Sequence, residues 1–156
     1  MLKFGFFTKI IINITKTMIL QPRKTKFRKA FRGKIHGSEF RVTKLAFGTL
    51  GIKALKSKRL KVEQIESLRK ALIKKLKGKG KIWIRVFPQL SVTAKPVETR
   101  MGKGKGSVDY WCAQVNAGRV LFELAGISTA LNKDILKISA NKLPIPVKLI
   151  HTENLK

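Results

Sequence analysis

The spacing of apolar positions along this chain changes several times, and each change marks an element. From 62 to 77 it is helical. Val62, Ile65, Leu68, Leu72 and Leu76 recur every three or four residues, while Arg69, Lys70, Lys74, Lys75 and Lys77 mostly crowd other faces. Glu63 and Glu66 open that helix and lysines close it, as the helix dipole favours, and Gly78 and Gly80 stop it. From 82 to 87 the period is two: Ile82, Ile84 and Val86 alternate with Trp83, Arg85 and Phe87, which predicts a half-buried strand. Residues 38–56 read as strand and turn, with Phe40, Val42, Lys44 and Ala46 alternating against Arg41, Thr43, Leu45 and Phe47 before Gly48 and Gly51 punctuate. Residues 108–116 and 119–124 read as a hairpin around Asn116-Ala117-Gly118. Ser128 or Thr129 can cap a second helix carrying Leu131, Ile135 and Ile138 on one face. Pro144 and Pro146 end it, and residues 147–150 can add a last strand. The order β, α, β, long loop, β, β, α, β predicts an α+β fold, an antiparallel sheet with two helices packed on one side.

Three stretches stand apart from this alternation. Residues 18–37 form a basic arm with Arg23, Lys24, Lys26, Arg28, Lys29, Arg32 and Lys34, in which Phe27 and Phe31 are the main apolar members. So little apolar surface does not offset the entropy of ordering a chain. An RNA surface would, through phosphate contacts and rings stacked on bases. Residues 1–17 are apolar and basic without an acid: Leu2, Phe4, Phe6, Phe7, Ile10, Ile11, Ile12 and Ile14 with Lys3, Lys9 and Lys16. They read as a targeting segment, an organelle- or lineage-specific interaction extension, or an element packed on the domain or on a neighbour. The expectation carried forward is an extension that is retained and works in an assembled particle. Residues 38–156 make the single globular domain, interrupted by the long flexible loop 88–106.

Within that loop runs Arg100-Met101-Gly102-Lys103-Gly104-Lys105-Gly106, three glycines alternating with lysines behind an arginine and no acid among them. Glycine lets backbone approach a ligand closely, and the cations supply charge and donors for phosphate. The segment is a basic finger suited to a polyanion. Total charge agrees: Lys+Arg number 35 against 8 acids, a net of +27 in 156 residues. Such a chain repels itself and attracts polyanions.

The same composition speaks against chemistry. The acids Glu39, Glu63, Glu66, Glu98, Asp109, Glu123, Asp134 and Glu153 are scattered. Only Glu63 and Glu66 are close, where a helix start wants negative charge. Cys112 is the only cysteine, so an internal disulfide is excluded, and in an aromatic strand it reads as core. His36 and His151 lack ligand-like spacing. No apolar run approaches the ~20 residues of a membrane span, and no Walker-type phosphate loop occurs. The reading is a non-enzymatic binder without cofactor, metal or membrane anchor.

Five ordered blocks sharpen it. They are Leu20-Gln21-Pro22-Arg23-Lys24-Thr25-Lys26-Phe27-Arg28-Lys29; Phe47-Gly48-Thr49-Leu50-Gly51-Ile52-Lys53-Ala54; Gly80-Lys81-Ile82-Trp83-Ile84-Arg85-Val86-Phe87-Pro88; Lys95-Pro96 to Gly106; and Ala140-Asn141-Lys142-Leu143-Pro144. Together they resemble the large-subunit ribosomal protein sixteen family of bacterial and organellar type. The resemblance implies a structural constituent of the large ribosomal subunit that binds ribosomal RNA near the aminoacyl-tRNA site. Arg100, Met101, Gly102, Lys103, Gly104, Lys105 and Gly106 would then form a loop close to bound tRNA, helping to position acceptor ends near the peptidyl-transferase centre. Candidate ribosomal-RNA contacts are Arg23, Lys24, Lys26, Arg28, Lys29, Arg32, Lys34, Arg59, Lys81 and Arg85. Expected partners are large-subunit RNA, tRNA and neighbouring ribosomal proteins, with no homo-oligomer. Where the family has a threonine helix cap this chain has Lys61, a departure expected to weaken the helix start by ~1 kcal/mol. The excess of lysine over arginine, with frequent Ile and Asn, points to an AT-rich genome and a mitochondrial ribosome, with plastid or bacterial cytoplasm as alternatives. A free-standing nucleic-acid-binding protein or RNA chaperone remains the rival to a ribosomal role.

Overall fold

A computed structural model describes residues 20–152, so the extension at residues 1–17 and the first two residues of the arm lie outside the described residues. The elements run β1 (Leu50–Ala54), β2 (Lys58–Lys61), α1 (Val62–Leu76), β3 (Lys81–Ile84), β4 (Leu90–Ala94), β5 (Ser107–Val115), β6 (Val120–Ala125), a 3-10 turn (Thr129–Leu131), α2 (Asn132–Lys142) and β7 (Val147–His151). The fold is α+β. Its strands divide into two antiparallel sheets, one ordered β3-β6-β1-β7 and the other β2-β5-β4.

The helical spacing at 62–77 becomes α1, with Ile65, Leu68, Leu72 and Leu76 buried. Lys61 is its N-cap, and the Lys61 backbone N–H donates to Gln64 Oε1 at 3.0 Å. A glutamine at that position supplies half of a capping box, which offsets part of the missing threonine. Helix α2 packs on α1 and β7 and buries Ile135. The core joins both helices to both sheets: Ile52 from β1, Leu60 from β2, Leu68 and Leu72 from α1, and Leu121, Phe122 and Leu124 from β6 are all fully buried.

Four local expectations are corrected. The alternation at 40–47 is not a strand; apart from a single bridge between Ser38 and Ala117 the segment is irregular, and β1 starts at Leu50. Residues 116–118 do not close a hairpin, because β5 pairs with β2 and β4 whereas β6 pairs with β1 and β3. The turn instead carries the chain from one sheet to the other. Strand β4 occupies the first part of loop 88–106, so the excursion shrinks to residues 95–106. Ser91 and Val92 are buried there, an anchor that the hydroxyl residues flanking Val92 conceal from a simple polarity reading. Ser128 precedes the 3-10 turn without a side-chain cap bond, and α2 begins only at Asn132. Strand β2, four residues reading Lys-Arg-Leu-Lys, has one buried position and gave no periodic signal.

Residues 46–48 are held by a single buried carboxylate. Glu123, fully buried on central strand β6, accepts hydrogen bonds at one oxygen from the backbone N–H groups of Ala46 (3.1 Å), Phe47 (2.6 Å) and Gly48 (2.9 Å). Its other oxygen pairs with Arg85. The Arg85 guanidinium lies 5.0 Å from the Phe47 ring centroid, and Phe47 stacks on Trp83 at 6.1 Å. The glycines of this block have steric reasons. A Cβ on Gly48 would sit 2.6 Å from the Leu124 carbonyl oxygen, and one on Gly51 would strike the Leu45 side chain. Burial alone would push the Glu123 carboxyl up; the three N–H donors and Arg85 outweigh it and hold the group below the usual carboxylate value.

Glu123→Ala is therefore expected to lower stability by about 3–5 kcal/mol, because it strips the acceptor from three N–H groups and leaves Arg85 without its carboxylate. The folded-state value lies below the unfolded one, so the contribution is present above the ordinary glutamate range near ~4.3 and is lost as pH falls through the folded value. Denaturant titrations of both proteins from neutral to acid pH check this. The gap between them should narrow on acidification, and a constant gap would refute the assignment.

Candidate nucleic-acid interface

The arm contains no helix or strand from residue 20 to 37, yet it is pinned at several points. Leu20 is buried in the core. Arg59 Nη2, from β2, donates to the carbonyls of Arg32 (2.8 Å) and Gly33 (2.7 Å), and Gln114 Nε2, from β5, reaches the Arg32 carbonyl at 3.3 Å. The arm and the finger then clasp each other reciprocally. Lys29 Nζ donates to the Lys105 carbonyl at 2.6 Å, and Lys105 Nζ donates to the Ala30 carbonyl at 2.7 Å. Lys95 Nζ, at the base of the finger, donates to the Gly102 carbonyl at 2.5 Å.

This pattern matters electrostatically. Two like-charged segments lie side by side where they meet, and the Lys29 and Lys105 ammonium groups each donate to a peptide carbonyl, which leaves the positive charge uncancelled. Among the described residues, the ion pairs involve Arg69, Lys70, Lys75, Arg85 and Arg119 and no cation of the arm or finger. Arg23, Lys24, Lys26, Arg28, Lys29, Arg32, Lys34, Arg100, Lys103 and Lys105 are all exposed. The arm also presents rings to solvent, with Phe27 72% and Phe31 90% exposed. A surface that couples uncancelled charge to bare aromatic faces can meet both phosphates and unstacked bases.

The structure thus gathers residues 29–33 of the arm, the finger and Arg59 on the side of the β2-β5-β4 sheet. It does not gather Arg85, which is committed to Glu123, and it places Lys81 at the exposed start of β3 in the other sheet. Trp83 is half-buried against Phe47, and the Tyr110 ring faces Lys61 Nζ at 4.4 Å. Two contributors escaped sequence reasoning. Gln114 gave no signal. Lys95 was visible as part of the Lys95-Pro96 block but not as a brace for the finger.

Within the finger, Gly102 (φ 95°) and Gly104 (φ 77°) adopt the left-handed region, as does Lys103 (φ 52°) between them. Nothing lies within 4 Å of a Cβ built at either glycine, so there the missing side chain serves backbone conformation and leaves open space for a ligand. Gly106 differs: a Cβ there would collide with the Ala94 carbonyl oxygen. Its smallness is used by the protein itself, where β4 and β5 converge.

Cys112 is buried, and burial pushes its thiol up against the opposing pull of Arg59 and Arg32, which disfavours a thiolate nucleophile. Among the described residues no group of three or more His, Cys, Asp or Glu could hold a metal ion, and no helix is long and apolar enough to cross a membrane.

The model of the ribosomal protein L16p/L10e family matches residues 22–150. A protein of Chelativorans sp. (strain BNC1) named large ribosomal subunit protein uL16 is 48% identical over 132 residues, which span 85% of this chain and 96% of that protein.

Gly106→Ala is expected to force β4 and β5 apart at the root of the finger and to cost about 1–3 kcal/mol, the usual range for overpacking. Gly104→Ala, in open space, should cost less and act through its φ alone. Equal melting temperatures for Gly106→Ala and the unmodified protein would show that the contact with Ala94 relaxes freely.

Proposed function

The chain belongs to the ribosomal protein L16p/L10e family, and on that premise we propose that it is a structural constituent of the large ribosomal subunit. It braces ribosomal RNA with its arm and helps to hold tRNA acceptor ends with its finger. It performs this by position and charge and has no reaction of its own. The observation that carries the reading is the reciprocal Lys29–Lys105 clasp, which joins the arm and the finger into one surface without cancelling any of their charge. Arg23, Lys24, Lys26, Arg28, Lys29, Arg32 and Lys34 contact ribosomal-RNA phosphates, and Arg59 holds the arm in register beneath them. Arg100, Lys103 and Lys105 reach tRNA or the RNA beside it. Arg85 acts in the fold, through Glu123, and Lys81 makes a separate RNA contact on the far sheet. The protein works as one copy among neighbouring ribosomal proteins.

The ribosome in question is organellar in this reading, on the strength of the lysine-rich, Ile- and Asn-rich composition. The Chelativorans relative is bacterial, which fits the alternative of a bacterial cytoplasmic ribosome and gives the organellar reading no support.

Two measurements test the proposal. Neutralising Arg23, Lys24, Arg28 and Lys29 together should reduce incorporation into large subunits. It should also lower the salt slope of RNA binding by roughly 0.7–0.9 for each phosphate that is no longer neutralised. Unchanged incorporation and slope would sink the arm's role.

Replacing Arg100, Lys103 and Lys105 by alanine should leave the melting temperature nearly unchanged, since no core strand or helix depends on those side chains. Subunits should still assemble. Single-turnover peptide-bond formation at low tRNA concentration should fall, because each desolvated contact to phosphate contributes about 1.5–3 kcal/mol. Wild-type rates on assembled variant ribosomes would leave the finger as a mere connection.

A further inference from the structure

Helix α1 follows β2 directly and runs for 15 residues, about 22 Å. Arg59 and the arm residues it pins lie at the N-terminal end of that helix. Its C-terminal end carries a second cationic cluster, to which neither arm nor finger contributes. There a surface depression of about 490 Å³ opens between the α1–β3 turn and the β6–α2 connection. Leu76, Ile127 and Leu131 give it an apolar lining, and Lys75, Lys77 and Lys79 give it a cationic one. No acid lines it.

Backbone contact fixes the frame of this depression. A Cβ on Gly80 would sit 2.6 Å from the Ala125 carbonyl oxygen, and one on Gly126 would sit 3.2 Å from the Gly80 Cα. The two connections therefore touch main chain to main chain, which a side chain at either position would prevent. Lys77 (φ 48°) and Gly78 (φ 77°) take the left-handed region that ends α1, and the Lys79 N–H donates to the Leu76 carbonyl at 2.9 Å. The lysines thus stand on a turn that is itself held. Lys75 pairs with Asp134 at 2.6 Å and ties α1 to α2. Lys77 and Lys79 are exposed, and no ion pair among the described residues includes them. Leu76 belongs to the core, and Ile127 and Leu131 pack against it, so the apolar lining is part of the folded domain.

We propose that this depression is a second RNA site, which takes one unpaired nucleotide with its base against Leu76, Ile127 and Leu131 and its flanking phosphates on Lys77 and Lys79. The inference rests on the reading of the chain as an RNA-binding constituent of the ribosome. The pairing of features selects the occupant. A phosphate alone would leave the apolar lining in water, and a duplex hides its base faces in the stack. An unpaired nucleotide offers a bare base and an anion together, and bases of this kind are what proteins recognise in single-stranded loops and bulges. An acidic protein segment would answer the lysines but has no counterpart to a planar base, and it is the competing outcome of the test. With both sites filled, the protein holds two RNA segments at opposite ends of one helix. Bracing is then a matter of spacing as well as of charge.

Photocrosslinking of the full chain to single-stranded RNA carrying thiouridine tests this, with the crosslinked peptides identified by mass spectrometry. Crosslinks are expected within residues 126–131 in addition to those in the arm. The double variant Lys77→Asn, Lys79→Gln should reduce crosslinking at 126–131 at least fivefold and leave that of the arm unchanged. Asparagine tolerates the left-handed backbone at position 77, and an unchanged melting temperature shows that the variant is folded. Neutralising Arg23, Lys24, Arg28 and Lys29 should do the reverse, so failure of the arm's role and failure of this site are told apart. Absence of crosslinks at 126–131 in the unmodified protein would overturn the proposal, as would crosslinks there that survive the double variant. So would assembled large subunits in which residues 126–131 crosslink to a neighbouring protein and to no RNA.

Discussion

The carboxylate of Glu123 is the fixed point of this structure. A chain with so few acids places one of them, fully buried, on the central strand of its larger sheet, and the sheet, the preceding loop and strand β3 all close on it. A buried carboxylate is tolerable only when its oxygens are saturated, and an unpaired buried charge is among the costliest defects a fold can carry. Here three backbone N–H groups and a guanidinium do the saturating. The demands are reciprocal. Gly48 must be glycine so that the loop comes close enough to donate, Gly51 leaves room for the Leu45 and Ile150 side chains, and Phe47 is held where it stacks on Trp83 beneath Arg85. The Phe47–Ala54 and Gly80–Pro88 blocks share one local cause, in that they are the two sides of this lock.

The remaining charge presents the opposite problem. A net of +27 cannot be neutralised by 8 acids, so most cations must live with one another. Arm and finger show how. Lys29, Lys95 and Lys105 donate to peptide carbonyls, dipoles that accept hydrogen bonds and leave the net charge in place. The clasp brings two basic segments together with their charge uncancelled, and the phosphates of a polyanion would remove the repulsion that carbonyls only dilute. The same logic explains why Arg85 falls outside that surface: its charge is already matched.

Much of the site was legible from local sequence because charge and glycine act locally. The cations and phenylalanines of the arm and the cations of the Arg100–Gly106 run are exposed, as their composition predicts. Helix α1 was equally plain, since five apolar residues at helical spacing admit few other arrangements. The failures share a form. The alternation at 40–47 looked like a strand because period two was present, but its last backbone donors go to Glu123. The turn at 116–118 looked like a hairpin because its residues suit one, but β5 and β6 found partners in different sheets. Strand β4 was hidden inside the loop because its burial depends on β5 lying beside it.

Composition, periodicity and spacing by themselves determined the α+β class, the α1 helix, the large excess of positive charge and the basic Arg100–Gly106 run. These follow from interactions between near neighbours or from totals over the chain, and no fold is needed to compute them. The tertiary structure alone decided which strands pair, which glycines are sterically required, which arginine is withdrawn into the Glu123 lock, and that Lys29 meets Lys105 across 76 positions of sequence. Those are contacts between distant residues. Each is selected by the closing of a common core, and a one-dimensional pattern carries no information about which of its members will meet.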